Sequence, residues 1–180
     1  MDRGEIIIRH AMASDAATVA SLHTTSWRDA YATLLDPIYL AGPIEDERSA
    51  LWSDRLGRPD PRRTTLLAET PDAAAVGFGC AYSDLDPIWG SLIDNLHVLP
   101  RMRGMRIGAR LMTALAGCVE PEADLKGIHL WVFEANEPAL RFYRRMGGEV
   151  VERSLSEVPT SRGAPILRVF WADIAALAAR

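Results

Sequence analysis

One segment constrains the fold of this chain most strongly, because it joins an apolar strand, a glycine-containing turn and an amphipathic helix without interruption. The strand runs from Ser91 to Val98, and the turn contains Pro100, Gly104 and Gly108. Apolar residues recur at every fourth position of the helix, at Ile107, Leu111, Leu115 and Val119. Such a stripe must pack on a sheet. The turn gathers free backbone N–H groups at the positive end of the helix, which predicts a phosphate-binding site.

The composition limits the kind of anion. The chain has 180 residues, 48% hydrophobic and 24% charged, which is enough for the core of a single domain spanning residues 1–180. Its formal net charge of −4 argues against a nucleic-acid partner. Arginines nevertheless cluster at the turn, at Arg101, Arg103, Arg106 and Arg110. A basic patch on an acidic body indicates a small anionic ligand.

Targeting and metal signals are missing, which favours a cytoplasmic protein. No apolar run approaches the roughly 18 to 20 residues of a membrane span, so we expect no membrane partner. Cys80 and Cys118 form no C-x-x-C pair, and two buried thiols in a reducing compartment are expected. The histidines lack metal-ligand spacing, so no metal is predicted.

Alternating and helical periodicities predict one mixed α+β domain. Strands are expected at residues 5–9, 64–69, 75–82, 92–98, 128–133, 149–154 and 166–171. Helices are expected at about residues 16–30, 45–56, 105–119 and 137–146. There is no internal repeat and no linker.

Two other phosphate motifs do not fit. A P-loop needs a lysine after its glycines, and none follows here. Gly77 and Gly79 could begin a dinucleotide fingerprint, but its third glycine would fall at Tyr82, where no helix begins. An ordinary strand–helix connection, with glycines for turning and arginines for solvation, stays open as the alternative for the turn.

A second segment, from Phe133 to Gly147, contains a further predicted helix. Asn136 fits the N-cap of a helix, and Pro138 falls in the first turn, where its missing N–H does no harm. Leu140 and Tyr143 share one face of that helix.

Together the two segments resemble the GNAT superfamily of acyl-CoA-dependent N-acetyltransferases, and the order of strands and helices is similar over most of residues 5–171. The resemblance implies a GNAT-type fold, with a central mixed, largely antiparallel sheet of about seven strands flanked by about four helices. It also implies acetyl-CoA as the co-substrate.

The family signature after the fourth strand is Gln/Arg-x-x-Gly-x-Gly/Ala, and here it falls on Arg103, Arg106 and Gly108. Arg106 therefore stands where the first glycine is expected, although arginine adopts positive φ less freely. The resemblance implies that the strand backbone pairs with the pantetheine arm, the turn holds the pyrophosphate, and Asn136 lies near the sulfur. The implied cofactor-binding residues are Leu96, His97, Val98, Arg103, Gly104, Met105, Arg106, Ile107, Gly108, Ala109 and Asn136.

Acetyl transfer to an amine requires two proton transfers. A lysine-like amine has a reference pKa of roughly 10.4, so neutralising it near neutral pH costs about 4 kcal/mol. Asp94 is the candidate base, because alternation places it with Leu92 and Leu96 on the face that looks into the acceptor cleft in the family, whereas Asn95 and His97 lie on the other. The alternative is a structural hydrogen bond.

Tyr143 is the candidate acid, since family members commonly use a tyrosine here to protonate the departing thiolate. A neutral phenol beside a developing thiolate is a sensible donor. The alternative is a buried aromatic residue that only packs on the sheet.

The acceptor side is predicted around Trp27 and Tyr31, which could form an aromatic wall together with Trp52 and Trp89. Asp36 or Glu45 could attract a cation there. The alternative is that Trp27 and Trp52 are core residues of two amphipathic helices.

We therefore expect an N-acetyltransferase acting on a primary amine of a small molecule by direct attack. A protein or peptide acetyltransferase, a non-catalytic acyl-CoA sensor and a purely structural or partner-binding module stay open as alternatives. The oligomeric state stays open, with a homodimer as one alternative, since Phe170, Trp171 and the alanine-rich tail could be buried between two copies.

Overall fold

The computed structural model describes residues 5–119 and 127–180, so residues 1–4 and 120–126 of the expected single domain lie outside the described part. The strands are Ile7–His10 (β1), Arg63–Glu69 (β2), Ala75–Asp86 (β3), Gly90–Val98 (β4), Ile128–Phe133 (β5), Glu149–Leu155 (β6) and Pro165–Trp171 (β7). The α-helices are Ala16–Ala30 (α1), Pro37–Ala41 (α2), Pro43–Gly57 (α3), Ile107–Cys118 (α4), Glu137–Arg145 (α5) and Ile174–Ala178 (α6).

The described strands form one sheet in the order β1-β2-β3-β4-β5-β7-β6. Within it, β4 and β5 are parallel and the other neighbours are antiparallel. The predicted mixed, largely antiparallel fold of seven strands is confirmed. Four of the helices are those expected from the periodicity, and α2 and α6 are additional short helices of five residues each.

The two faces of the sheet carry different helices. On one face, α1 and α3 bury Val19, Leu22 and Trp52 against Phe78 of β3. On the other face, α4 buries its apolar stripe, including Leu111, against the sheet core. Strands β3 and β4 are therefore covered by helices on both faces of the sheet.

Gly77 and Gly79 of β3 have a packing role, which explains why they resemble the start of a nucleotide motif without being one. A Cβ atom at Gly77 would lie 2.8 Å from the His97 carbonyl oxygen, and one at Gly79 would lie 2.6 Å from a methyl carbon of Leu115. Only glycine lets β4 and α4 approach β3 this closely.

Some of the residues predicted to lie in a dimer interface pack against other parts of the same chain. Trp171 is buried and donates its indole N–H to the Met146 carbonyl, while the Phe170 ring lies 5.2 Å from that of Trp89. In the tail, Leu177 of α6 is 1% exposed and joins the core cluster that α4 covers. Trp171 and Leu177 are therefore not available to a second copy, whereas Ala172, Ala175, Ala176 and Ala179 of the tail are exposed, so a homodimer stays a prediction. No helix in the described part of the chain is long and apolar enough to cross a membrane.

Candidate active site

A cleft of about 1060 Å³ opens where β4 and β5 separate. The two strands pair at only two positions, Ser91 with Ile128 and Leu92 with His129, and then diverge. The wall contains nearly all residues predicted for the site, namely Trp27, Tyr31, Asp94, Leu96, His97, Val98, Arg103, Gly104, Arg106, Ile107, Gly108, Ala109, Asn136 and Tyr143. Met105 is the exception, because its side chain packs against the core.

The turn before α4 leaves a run of backbone donors free. Arg110 N–H is bonded to the Arg106 carbonyl, as the first internal hydrogen bond of the helix. Before it, the N–H groups of the six residues from Gly104 to Ala109 have no acceptor within the described part of the chain. Six adjacent donors at a helix N-terminus form a site for an anion with several oxygens, as a diphosphate has.

The backbone of this turn is left-handed at two positions. Gly104 has φ of +79°, and Arg106, the residue before α4, has φ of +60°. Arg106 thus takes the conformation for which the family signature has glycine, at a strain of about 1–2 kcal/mol. The substitution changes the side chain and leaves the path of the backbone intact.

The inner edge of β4 also presents backbone groups to the cleft. Leu99 N–H donates to the Val76 carbonyl of β3 at 2.9 Å. Along an antiparallel ladder alternate residues bond to the same neighbour, so the N–H and C=O groups of Leu96 and Val98 point away from β3, towards β5. Since β5 has already diverged there, an extended ligand could bond to this edge as an added strand.

A β-bulge in β4 overturns the predicted alternation of its side chains. Cys80 of β3 pairs with Asn95 while the next residue pairs with Ile93, so Asp94 is the extra residue. Ile93 and Leu96 both pack in the core cluster that α4 covers, although they are three residues apart. Asp94 instead reaches α3, so the expected common face of Leu92, Asp94 and Leu96 is wrong.

Asp94 is held by an ion pair. Its Oδ2 lies 2.6 Å from Nη1 of Arg55 on α3 and also accepts a hydrogen bond from the Asn95 amide. Oδ1 has no partner within the described residues, and Asp94 lines the cleft. One carboxylate oxygen is therefore fixed and the other is available.

Tyr143, Tyr31 and Asn136 meet at the deep end of the cleft. Tyr143 is buried, and burial, followed by the nearby Tyr31, raises the pKa of its phenol well above the ordinary value. Burial also raises the pKa of Tyr31, while a side-chain hydrogen bond with Asn136 acts in the opposite direction. Asn136 Oδ1 accepts the Ala139 N–H and so caps α5, as predicted. Both phenols are neutral donors at physiological pH.

The aromatic residues predicted on the acceptor side differ in their positions. Trp27 and Tyr31 line the cleft, with their rings 5.3 Å apart. Trp52 is fully buried between α1 and α3, and Trp89 packs on Phe170 away from the cleft, so these two were predicted wrongly.

The acids proposed to attract a cation also lie elsewhere. Asp36 caps α2 and faces Arg162, and Glu45 pairs with Arg28. Arginines already lie over four tryptophans of this chain: Trp27, Trp52, Trp89 and Trp131. Among the described residues, the tryptophans predicted for the acceptor side therefore do not form an aromatic cage that is open to a cation.

The opposite wall of the cleft was not predicted from the sequence. It consists of the end of β5, residues 130–133, and of residues 154–158, which include the end of β6 and the residues after it. No local pattern marks these residues, because only the pairing of β5 beside β4 brings them to the cleft. Within the described part of the chain, no group of three or more His, Cys, Asp or Glu side chains is placed to hold a metal ion.

Comparison with known proteins agrees with this geometry. The model of the acetyltransferase (GNAT) family matches residues 19–148, well over half of the chain. Similar solved structures include the PaiA N-acetyltransferase from Thermoplasma acidophilum in complex with coenzyme A. The TM-score is 0.73 at 18% identity, covering 93% of this chain and 99% of that one.

Two further structures are similar in fold. One is NAA60 from Arabidopsis thaliana in complex with a bisubstrate analogue, with a TM-score of 0.67, 19% identity and coverage of 93% and 97% of the two chains. The other is a chimera of the spermidine N-acetyltransferase SpeG from Vibrio cholerae and hSSAT, with a TM-score of 0.68, 14% identity and coverage of 98% and 100%. At these identities the likeness establishes the fold.

Proposed function

Because this chain belongs to the acetyltransferase (GNAT) family and is an acetyl-CoA-dependent acyltransferase, we propose that it acetylates a primary amine of a small molecule by direct attack. One observation carries the proposal. Six consecutive N–H groups, from Gly104 to Ala109, lack acceptors within the described residues and stand at the wall of a cleft large enough for a cofactor and a small acceptor.

Each part of the donor has a matching group in the cleft. The residues from Gly104 to Ala109 bind the diphosphate through the main chain, with the Arg106 side chain adding charge. The N–H of Arg103 is already bonded to the Pro100 carbonyl, so Arg103 can contribute only its side chain. The edge of β4 at Leu96 and Val98 bonds to the pantetheine arm, whereas the backbone groups of His97 point towards β3. Asn136 contacts the cofactor near its sulfur, since it lies between the β4–β5 opening and α5.

Acetyl-CoA supplies an acyl group that is activated as a thioester, so the protein must orient the amine and manage protons. The free oxygen of Asp94 accepts the amine proton, directly or through a water molecule. It is suited to this because Oδ2 is already bound by Arg55 and Asn95, which leaves Oδ1 to face the acceptor.

Tyr143 supplies the second proton. Its phenol is buried and neutral, so it donates a hydrogen bond to the sulfur as negative charge develops there. Tyr31 lies beside it, and the two phenols and the Asn136 amide form a polar group in an otherwise apolar end of the cleft.

The acceptor end supports a small molecule more than a peptide. Asp36, before α2, faces Arg162, which follows β6, at 3.4 Å. Next to these residues in the chain, Leu35 is buried in one apolar cluster with Phe133, against which Ala164 packs. We infer that contact between these two segments closes one end of the cleft, which disfavours a chain that continues on both sides of the acceptor amine.

The test is release of free CoA from acetyl-CoA, corrected for hydrolysis, with a panel of monoamines, diamines, amino acids and amino sugars. A matched panel of peptides with free N-termini or lysine side chains runs beside it. We expect turnover with at least one small amine and none with peptides. Turnover confined to peptides would overturn the small-molecule assignment.

A further inference from the structure

From the contacts of Asp94 we infer that Arg55 is a positioning residue for acetyl transfer, which fixes one oxygen of the Asp94 carboxylate and aims the other at the acceptor amine. The inference rests on the proposed function, because that function makes Asp94 the base. It adds a residue of α3 that lies outside the wall of the cleft and that no sequence motif marks.

The need for such a residue comes from the bulge. A bulged residue leaves the regular ladder, so the two neighbouring strands no longer determine where its side chain points. At Asp94 the extra residue turns towards α3, and its carboxylate meets Arg55 with side-chain exposures of 30% and 20%. The ion pair thus replaces the ladder as the element that orients this side chain.

Arg55 is itself held in place. Its guanidinium carbon lies 5.2 Å from the centre of the Trp52 ring and 5.8 Å from that of Tyr82. Arg63 of β2 donates to the carbonyl oxygen of Arg55, which ties this turn of α3 to the sheet. Trp52 is in turn fixed by the hydrogen bond from its indole N–H to His23 at 3.0 Å. A guanidinium packed between two rings keeps its geometry better than a solvated one.

The charge of Arg55 persists in this setting. Burial alone would lower its pKa, but the charge of Asp94 and the hydrogen bond to it raise the pKa above the ordinary value. The other titratable groups around the pair are Cys80 and Tyr82 on β3, Arg63 on β2 and His23 on α1. Burial keeps the Cys80 thiol neutral by raising its pKa to about 11, and burial keeps His23 neutral by lowering its pKa well below the ordinary value. Arg55 is therefore the charged partner of Asp94 within the described residues.

The experiment is a double-mutant cycle with Arg55→Met and Asp94→Asn. It measures kcat/KM with acetyl-CoA and the best amine of the panel. We expect Arg55→Met to lower kcat/KM by roughly 10- to 100-fold, as misplacement of a catalytic group does. In the double variant, Arg55→Met should add less than about a twofold further loss to that of Asp94→Asn, because the residue that it positions is already absent.

Two further variants separate positioning from folding. Arg55→Lys keeps the charge and should recover part of the activity. Arg55→Met should lower kcat and leave the KM for acetyl-CoA within about twofold, because it disturbs the acceptor side and not the cofactor side of the cleft. Arg58→Met removes an exposed ion pair between the residue that follows α3 and Asp54 of that helix, and it should leave kcat and KM unchanged.

The possible outcomes are distinguishable. If Arg55→Met lowers kcat/KM by the same factor in the wild type and in Asp94→Asn, the positioning role is overturned. An unchanged kcat for Arg55→Met, with only the KM for acetyl-CoA raised, would do the same. If instead Asp94→Asn alone leaves kcat/KM unchanged, the base assignment in the proposed function is what fails.

Discussion

Arg103, in the turn before α4, lies with Nη1 2.6 Å from Oδ2 of Asp29, at the end of α1. Both side chains are partly exposed and both residues line the cleft. The arginine that could contact the pyrophosphate is thus bound to a carboxylate of the chain itself. A phosphate group that takes over Arg103 must displace Asp29.

Asp29→Asn is therefore expected to tighten binding of CoA. The gain should be small, up to about fivefold, since exposed ion pairs contribute about 0.2–1 kcal/mol. Isothermal titration calorimetry at low salt measures it, and the gain should shrink as salt rises. Glu45→Gln, which breaks the Arg28–Glu45 pair away from the cleft, serves as the control with unchanged affinity. Weaker binding by Asp29→Asn would show that Asp29 supports the site instead of competing for Arg103.

Arg106→Gly should raise the stability of the fold and lower the affinity for CoA. Glycine removes left-handed strain of about 1–2 kcal/mol but adds chain entropy of about 0.5–1 kcal/mol, so a net stabilisation of up to ~1 kcal/mol is expected. CoA affinity should fall, because the charge is lost. Arg106→Ala should lose the affinity without the gain in stability. Urea unfolding measures the stability, and calorimetry measures the affinity for CoA. A glycine variant less stable than the alanine variant would contradict a strained backbone at Arg106.

Gly108→Glu should abolish CoA binding by placing bulk and negative charge where the diphosphate binds. The fold itself tolerates a side chain there, since a Cβ would meet the nearest atom, in Phe142, at an ordinary 3.6 Å. Gly117→Glu makes the same change on an open surface of α4 and should bind CoA normally. Micromolar affinity retained by Gly108→Glu would place the diphosphate elsewhere.

Tyr143→Phe should lower kcat by the order of 100-fold, as loss of a donor to developing charge does. The KM for acetyl-CoA should change little, because the ring and its packing on Trp171 remain. Since burial raises the pKa of Tyr143 above its ordinary value, the wild-type enzyme should show no loss of rate from its ionisation below about pH 10. A kcat unchanged in Tyr143→Phe would remove the phenol from the mechanism.

Acid should destabilise the fold through its buried histidines. Burial lowers the pKa of His23 well below the ordinary value, that of His97 to about 3 and that of His129 to about 4, with nearby positive charge adding to the last two. The unfolded chain takes up these protons near pH 6.5 and the folded chain does not. Stability is therefore complete above about pH 6.5 and falls below it by up to about 1.4 kcal/mol per pH unit for each histidine.

Urea unfolding between about pH 7.5 and about pH 5 measures this slope. His129→Gln keeps an acceptor for the Arg168 guanidinium, which bonds His129 Nδ1 at 3.0 Å, and should reduce the slope by one histidine. A stability independent of pH in this range would contradict the burial of neutral imidazoles.

The periodic parts of the fold were predictable from local sequence. The four-residue repeat of Ile107, Leu111 and Leu115 specifies α4, and β5 was expected at the residues where it lies. The helices α2 and α6 were missed because five residues carry too little periodicity, and isolated helices of that length are unstable without tertiary contacts.

The site was only partly predictable, for a different reason. The turn at Gly104 and the cap at Asn136 depend on local backbone chemistry, which sequence displays. The bulge at Asp94 depends on the register between β3 and β4, and the Arg55–Asp94 pair joins residues 39 positions apart. The sequence shows where the tryptophans are. It does not show which arginines pack on them, because these contacts depend on the tertiary structure. Long-range pairing of this kind leaves no trace in periodicity.

The most direct test of the phosphate-binding turn is the amide spectrum of the ¹⁵N-labelled protein during titration with CoA, and in parallel with pantetheine, which has no diphosphate. If the free N–H groups from Gly104 to Ala109 bind the diphosphate, their resonances should move downfield with CoA and not with pantetheine. The β4 amides of Leu96 and Val98 should respond to both ligands. CoA binding that leaves the amides from Gly104 to Ala109 unshifted would contradict the assignment of this turn and the function built on it.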